Sequence, residues 1–269
     1  MSVSGLNILL AEDNPTNQLV AVQMLESLGA TVTLAHDGAE ALEILQDRAF
    51  DVALIDIEMP RLSGIDLLRT LRADPGTNAT MPMIALTAYV MREHRVAIGE
   101  AGADGIIAKP ILSIERFGEE IMEHVQARHT LNAKDGTTED RPSDEPQSDN
   151  ATDDTESAGI DHEIFDRLCA SFDDETLKEL FVRIHGDISG AADRIYASMQ
   201  QSETVELRAA THILISVAGA IGATRLQSLA QCLNSAGHAS DIAAIDRDAP
   251  KLLAEAERVL DFVGGSKGG

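Results

Sequence analysis

Cysteine is nearly absent from this sequence of 269 residues, which contains two, Cys169 and Cys232. They lie in unrelated contexts, so they predict neither a disulfide framework nor a metal site, and a reducing compartment fits. Aromatic residues are also few, at 3%, and tryptophan is missing. Any hydrophobic core must therefore be built mainly from leucine, isoleucine, valine and alanine.

Basic charge is scarce as well, because 21 Lys and Arg face 45 Asp and Glu, for a formal net charge of −24. This balance excludes non-specific binding to nucleic-acid phosphates and argues against an anionic membrane surface. The longest apolar stretch, residues 213–223, is about half of the roughly 20 residues that a membrane span needs. No basic segment opens the chain, so we expect no signal peptide. These absences predict a cytoplasmic protein that binds neither nucleic acid nor membrane.

Length and composition predict three segments, since the chain exceeds one ordinary domain of roughly 100–200 residues. Residues 129–158 are rich in Asp, Glu, Ser, Thr and Pro and contain one large apolar residue, Leu131. Such a segment cannot bury enough surface to offset its ordering entropy, which predicts a disordered acidic linker. We expect one domain over residues 1–128 and another over residues 159–269. Because the linker has no means of fixing an interface, we expect the two to move independently.

Short apolar runs alternate with amphipathic stretches in the first domain. Their nearly continuous apolar character is typical of strands buried on both faces of a parallel sheet. The predicted strands cover residues 7–10, 31–35, 52–57, 83–86 and 106–108. The predicted helices cover residues 15–28, 40–46, 65–71, 91–100 and 114–127. This alternation predicts an α/β doubly wound domain with a five-stranded parallel sheet.

The second domain shows helical periodicity and no strand pattern. The predicted helices cover residues 161–170, 175–199, 203–220, 223–234 and 241–262. Breaks are expected at Gly222 and Gly237, among other positions. Long helices with short connections predict an all-α four-helix bundle.

Polar residues follow the ends of the predicted strands, where a doubly wound domain binds its ligands. Glu12, Asp13 and Asp56 are carboxylates that would repel one another at one sheet edge unless a cation were present. Hard oxygen ligands with room for water suit Mg²⁺. Thr87 and Lys109 follow the fourth and fifth strands and would hold the oxygens of a phosphoryl group. A carboxylate can then act as nucleophile and form an aspartyl phosphate.

Residues 5–128 resemble a response-regulator receiver domain of the chemotaxis type. The resemblance rests on four motifs in order, namely ILLAEDN, DVALIDIEMPRLSGID, IALTA and GADGIIAKPI. The resemblance implies that Asp56 is the phosphoacceptor and that Thr87 is the switch hydroxyl. It also implies that Glu12 and Asp13 bind Mg²⁺ together with the Glu58 backbone carbonyl. Lys109 would contact the phosphate and precede a cis Pro110.

The sequence departs from the receiver pattern at Ile106, where the family usually carries Tyr or Phe. Tyr89 either takes over part of that role or is an exposed loop residue. The Glu58 side chain is either exposed or paired with Lys109. An alternative is a phosphatase of the haloacid dehalogenase type, which fits poorly because that family carries its nucleophile after the first strand, whereas Asp56 follows the third.

Residues 159–262 resemble a histidine phosphotransfer domain, a four-helix bundle with a phosphorylatable histidine on an exposed helix. The motif is HILISVAG over residues 212–219, followed by Gly222 and Leu226. It implies that His212 is a possible phosphoacceptor, flanked by small residues that let a partner approach. Helical spacing predicts a separate core stripe that contains Leu207 and Leu214. An unrelated helical bundle is the alternative.

The phosphotransfer motif also departs from its family. Ile215 stands where the family has a lysine that helps to neutralise phosphohistidine, and Ser216 replaces a glycine. Arg208, one helical turn before His212, is a candidate for the missing cation. Ile215→Lys is then expected to raise phosphotransfer. We expect His212 to be active, and a degenerate docking bundle is the alternative.

Taken together, the two resemblances imply a phosphorelay signalling protein rather than an enzyme with a separate substrate, apart from the receiver's own phosphorylation and dephosphorylation. The implied partners are a sensor histidine kinase or hybrid kinase, and another response regulator or phosphotransfer protein. Two other functions stay open. Phosphorylation could switch a docking bundle that takes no phosphate, or fast hydrolysis at Asp56 could make the protein a phosphate sink.

Overall fold

A computed structural model describes residues 3–73, 76, 78, 81–88, 92–109, 111, 113–133, 159–170, 172–201 and 203–265. Most of the predicted linker, together with Tyr89 and Pro110, lies outside the described residues. No described helix is long and apolar enough to cross a membrane.

The first part of the chain alternates strands and helices, as predicted. The strands are β1 (Asn7–Ala11), β2 (Thr31–Ala35), β3 (Val52–Asp56), β4 (Met83–Thr87) and β5 (Gly105–Ala108). The helices are α1 (Pro15–Ser27), α2 (Gly38–Asp47), α3 (Gly64–Ala73), α4 (Arg92–Glu100) and α5 (Ile114–Ala133). The strands form one parallel sheet in the order β2-β1-β3-β4-β5. The doubly wound five-stranded fold is confirmed.

The central strands β3 and β4 are buried along their whole length. Helices cover both faces of a doubly wound sheet, so these strands need apolar side chains on both sides. Apolar residues accordingly divide into two clusters, one containing Leu10 and Leu54 and the other Leu9 and Ile55. This alternation fixes the strand register and thereby the positions of the residues at the strand ends.

The second part is helical, with a short α6 (His162–Ala170) and four long helices. The long helices are α7 (Asp174–Gln201), α8 (Thr204–Ala220), α9 (Thr224–Ala239) and α10 (Ile242–Gly265). Each long helix packs against the next, and α10 returns to α7, which closes a bundle. The predicted core stripe of α8 is confirmed, since Leu207 and Leu214 are buried. Phe165 also packs against Phe181 and Phe262, so aromatics contribute more to this core than expected.

Most predicted boundaries differ slightly from those observed, and two of them are wrong by more than three residues. Helix α5 continues to Ala133, so residues 129–133 are helical rather than part of a disordered linker. Helix α9 does not break at Gly237 but continues to Ala239, and the next residue, Ser240, has a φ of 53° in the left-handed region. Gly237 stays helical where it packs closely on the neighbouring helix, because a Cβ there would lie 3.0 Å from Cγ of Arg208.

The two regions pack against each other, which contradicts the expectation that they share no interface. Helices α7 and α8 contact α1, and one apolar cluster continues from the sheet into the bundle. The polar part of this interface lies at the start of α1, where Thr16 Oγ1 donates to Asp187 Oδ2 at 2.5 Å. Asn14 Nδ2 donates to the same oxygen at 3.3 Å.

Asn14 has two roles at this interface. Its Oδ1 accepts from the backbone N–H groups of Thr16 and Asn17 at 2.8 and 3.0 Å, which caps α1. Its Nδ2 turns outward to Asp187 of the bundle. A carboxylate at a helix N-terminus also interacts favourably with the helix dipole. Asp187 therefore completes the first turn of α1 from the other region.

Asp187→Ala is expected to weaken this docking, because it removes two hydrogen bonds to a charged acceptor that are typically worth about 1.5–3 kcal/mol each. The measurement is hydrogen–deuterium exchange at the start of α1 and along α8, which should become faster. Asp193→Ala is the matched control, since Asp193 is exposed on the same helix. Unchanged exchange in Asp187→Ala would mean that Asp187 does not hold the interface.

Candidate functional site

The ends of four strands bring the predicted receiver residues to one edge of the sheet. Glu12 and Asp13 follow β1, and Asp56 is the last residue of β3. Thr87 ends β4, and Lys109 follows β5. Glu12, Asp56 and Thr87 are buried, with at most 2% of their surface exposed. The structure therefore places these five residues at a common edge, as the strand-end rule predicts.

Close packing beneath Asp56 depends on a glycine. A Cβ at Gly64 would lie 2.1 Å from the carbonyl oxygen of Asp56. Any larger residue would force the start of α3 away from the end of β3. The Gly64 backbone N–H donates to the Ile57 carbonyl at 3.0 Å, which ties the loop after Asp56 to this helix.

Three carboxylates at this edge can hold a metal ion. One oxygen each from Glu12, Asp13 and Asp56 lies within 4.8 Å of the others. Burial raises the pKa of Glu12 to about 7. Burial also raises the pKa of Asp13, and the charge of Asp56 adds to this rise. Carboxylates that are desolvated and mutually repelling favour a bound cation, and their all-oxygen donor set fits Mg²⁺.

Lys109 supplies positive charge to the same site. Its Nζ lies 2.6 Å from Glu12 Oε2 and 2.7 Å from Asp56 Oδ2. Burial disfavours the ammonium group, but Asp56 and Glu12 outweigh this effect and raise the pKa of Lys109. Lys109 therefore stays charged over the physiological range and lies where it would contact an oxygen bound to Asp56.

The Glu58 side chain does not pair with Lys109, contrary to one of the two expectations for it. Its Oε2 lies 2.8 Å from Nδ1 of His212, on helix α8 of the bundle. The Glu58 backbone N–H donates to Asp56 Oδ1 at 3.2 Å, so Glu58 contacts both Asp56 and His212. The structure thus joins the two predicted phosphate-accepting sites through one receiver residue.

Electrostatic effects also connect these two sites. Burial tends to lower the pKa of His212, but the Glu58 carboxylate outweighs burial and raises it, and Asp56 adds to the rise. Burial tends to raise the pKa of Glu58, yet its contact with His212 lowers it. His212 in turn limits the rise in the pKa of Asp13. The imidazole is therefore within electrostatic range of the acidic cluster.

The surroundings of His212 are partly as predicted. The side chain is 12% exposed, and Ser216 on the same helical face is buried. Ile215 has no exposed surface, so a buried apolar side chain lies where the resemblance to a phosphotransfer domain would place a lysine. Close to His212, Arg208 Nε and Ser216 Oγ are two buried atoms without a hydrogen-bond partner. The contact of His212 Nδ1 with Glu58 is an ion-pair contact at 2.8 Å that does not have the angles of a hydrogen bond. Arg208 is also close enough to Glu58 to lower its pKa.

Sequence reasoning missed the contact between the regions. Asp187 stands in an ordinary amphipathic helix and gave no signal beyond that of a solvated acid. Asn14 and Thr16 were recognisable as the start of a helix but not as partners of another region.

Comparison with known proteins agrees with the geometry of the first region. The family described as the response regulator receiver domain matches residues 8–121. Residues 8–121 are therefore a receiver domain of two-component signalling.

Curated relatives match a part of the chain of similar length. The aerobic respiration control sensor protein ArcB of Escherichia coli (strain K12) is 36% identical over 111 residues, which cover 41% of this chain and 14% of ArcB. The sensor protein GacS of Pseudomonas syringae pv. syringae is 32% identical over 113 residues, which cover 41% of this chain and 12% of GacS. This chain thus spans a small part of the length of these relatives.

One solved structure is similar to part of the chain. The receiver domain of sensor histidine kinase PA1611 from Pseudomonas aeruginosa PAO1 is 35% identical, with a TM-score of 0.43. The match covers 46% of this chain and 99% of that chain. The PA1611 receiver domain was crystallised with a magnesium ion coordinated in its active site cleft.

Proposed function

We propose that this chain is a phosphorelay protein in which Asp56 accepts a phosphoryl group and exchanges it with His212 of the same chain. The observation that carries the proposal is the 2.8 Å contact between Glu58 and His212, two residues after Asp56. It brings the histidine of the bundle to the acidic edge of the receiver. We further propose that the bundle, residues 159–269, is a histidine phosphotransfer domain.

Glu12, Asp13 and Asp56, with the backbone carbonyl of Glu58, would hold Mg²⁺, which would neutralise charge on the phosphoryl oxygens. An Asp56 carboxylate oxygen attacks the phosphorus of a phosphohistidine on a donor kinase. The phosphorus–nitrogen bond breaks, and the donor imidazole leaves with its electron pair. Lys109 contacts one phosphoryl oxygen, and the Thr87 hydroxyl would contact another.

Transfer to the bundle reverses the roles of oxygen and nitrogen. A ring nitrogen of His212 attacks the phosphorus of the aspartyl phosphate, the phosphorus–oxygen bond breaks, and Asp56 is released as a carboxylate. The reaction is a displacement at phosphorus in which positioning supplies most of the rate. Docking of the bundle on α1 supports this role, because it makes the encounter intramolecular.

The relatives are sensor proteins, so the proposed donor is a sensor histidine kinase or a hybrid kinase. The proposed onward partner is another response regulator or phosphotransfer protein. We place the exchange in the cytoplasm, where such kinases have their phosphorylated domains.

Phosphate chemistry tests the proposal. The wild type is labelled with acetyl phosphate and Mg²⁺, and base-stable, acid-labile phosphate is measured as phosphohistidine. We expect phosphohistidine in the wild type and none in His212→Ala, which keeps only hydroxylamine-sensitive aspartyl phosphate. His238→Ala is the matched control, since His238 is exposed on the neighbouring helix.

The kinetics of the same reaction separate transfer within one chain from transfer between chains. Exchange within one chain proceeds at a rate that is independent of protein concentration. A rate that rises in proportion to concentration would contradict the intramolecular route.

One observation favours a second candidate function. A buried isoleucine, Ile215, stands near His212 in place of a lysine, as expected of a bundle that docks without taking phosphate. A wild type that is labelled on Asp56 and never on His212 would make this the better account.

A further inference from the structure

Glu58 belongs to the receiver but contacts the reactive group of the bundle. It lies in the loop after β3, where its backbone N–H is bound to Asp56 Oδ1 at 3.2 Å. Its carboxylate reaches across the interface to His212 Nδ1 at 2.8 Å. The histidine side chain is 12% exposed, so this contact is largely enclosed.

A carboxylate held against one ring nitrogen determines what the other nitrogen can do. Nδ1 is the ring nitrogen that faces the Glu58 carboxylate at 2.8 Å, and Nε2, the other nitrogen of the ring, is not occupied by this contact. A carboxylate at this distance from one ring nitrogen restricts the orientations that the imidazole can adopt. Because Nδ1 contacts the Glu58 carboxylate, Nε2 is the nitrogen through which His212 would react.

The carboxylate that contacts His212 belongs to the receiver, so it can affect which receiver exchanges phosphate with the bundle. Because Glu58 is two residues from Asp56, the group that orients the histidine arrives together with the aspartate that exchanges phosphate. The apolar contact of α1 with α7 and α8, and the bonds to Asp187, hold both in place. A receiver without an acid at this position would dock without orienting the ring.

We propose that Glu58 is a positioning residue that orients His212 for exchange with Asp56, and that it thereby makes the chain's own receiver the preferred partner of its bundle. This inference rests on the proposed function, since it concerns the same transfer. It assigns to the Glu58 side chain a role separate from the proposed role of its backbone carbonyl at the metal.

Glu58→Gln tests the proposal in the full-length chain. The yield of phosphohistidine per aspartyl phosphate lost should fall about tenfold or more, as for the loss of one charge-assisted contact. This ratio corrects for any change in labelling of Asp56. Nitrogen-15 NMR of the His212 ring should show that the preference for protonated Nδ1 is weakened. Glu43→Gln, an exposed acid on α2, is the matched control.

A mixing experiment shows which region must carry Glu58. Phosphorylated His212→Ala serves as donor, and Asp56→Asn serves as acceptor. We expect Glu58→Gln to slow transfer when it is added to the donor, whose receiver docks on the acceptor's histidine. It should not slow transfer when it is added to the acceptor, because there it only loosens the contact of that chain's own receiver with His212. Equal effects in both chains would overturn the proposed selectivity.

The outcomes separate this inference from the proposed function. If Glu58→Gln transfers phosphate at the wild-type rate with unchanged ring signals, the inference fails and the proposed function stands. If the wild type never forms phosphohistidine, both fail together. If transfer falls while the ring signals are unchanged, Glu58 does not act by orienting the imidazole, and the positioning role is overturned.

Discussion

Asp56→Asn is expected to abolish phosphate uptake by the chain from acetyl phosphate or from a kinase, with a loss of roughly a thousandfold or more. Labelling of His212 should disappear with it, because the proposed route to the bundle passes through Asp56. The measurement is incorporation of labelled phosphate in the presence of Mg²⁺, resolved into aspartyl phosphate and phosphohistidine.

The size of this effect follows from what the substitution removes. An amide lacks the anionic oxygen that attacks phosphorus, so the covalent intermediate cannot form. The substitution also reduces the number of carboxylates in the Glu12, Asp13 and Asp56 cluster and removes one partner of Lys109. Mg²⁺ affinity should therefore fall as well.

Asp51→Asn is the control for this experiment. Asp51 directly precedes β3, the strand that ends in Asp56, and it lies exposed at the opposite edge of the sheet. It accepts a hydrogen bond from the Asn7 backbone N–H and makes no contact with the acidic cluster. Labelling should be close to the wild-type level. Undiminished labelling of Asp56→Asn, independent of Mg²⁺, would refute the assignment of Asp56.

Arg208→Ala is expected to reduce the equilibrium amount of phosphohistidine at His212 about ten- to a hundredfold. A charge-assisted contact is typically worth about 1.5–3 kcal/mol, which corresponds to this range. The structure supports the expectation, since Arg208 lies one turn before His212 and its Nε is buried without a hydrogen-bond partner among the described residues. A phosphoryl group on His212 would supply the acceptor.

The experiment for Arg208 requires a control for packing. The Arg208 side chain packs against Gly237 of α9, so its truncation also removes apolar contact. Arg208→Lys keeps a cation and most of the stem and should retain more transfer than Arg208→Ala. Circular dichroism should show unchanged helix content in both. If Arg208→Ala is labelled like the wild type, Arg208 does not replace the missing lysine.

The structure argues against one substitution that the sequence suggested. Ile215→Lys was expected to raise phosphotransfer by restoring the family cation. Ile215 has no exposed surface, so the substitution would bury an ammonium group without a provided partner. Such a charge is costly enough to shift its own protonation or to disturb the packing around α8. Ile215→Lys is therefore a poor rescue for Arg208→Ala.

Much of the fold could be predicted because local signals agreed with the global arrangement. Asn14 followed by Pro15 specified the start of α1, and the nearly apolar run of β3 specified a central strand. The parallel connections then brought Asp56 and Lys109 to one edge without any knowledge of contacts. Helix ends were harder to predict, since α5 continues to Ala133 through polar residues that resemble the linker.

The docking of the bundle could not be predicted from composition. The linker has few apolar residues, but the described interface lies between helices. It uses apolar faces on α1, α7 and α8 that each resemble an ordinary helix face packed in its own domain. The Glu58–His212 contact joins residues 154 positions apart, with no shared local pattern. The pattern of a single sequence shows which face of a helix is apolar. It does not show which other part of the protein packs against that face.

The burial of His212 in the docked form also affects whether other proteins can contact it. With 12% of its side chain exposed while the bundle is docked, the imidazole is out of reach of a foreign receiver until the two regions separate. Under the proposed function, phosphate exchange between His212 and another protein would require the two regions to separate first. The fraction of molecules in which the regions are separated would then scale the rate of such exchange, which would protect the chain from phosphate exchange with non-cognate receivers.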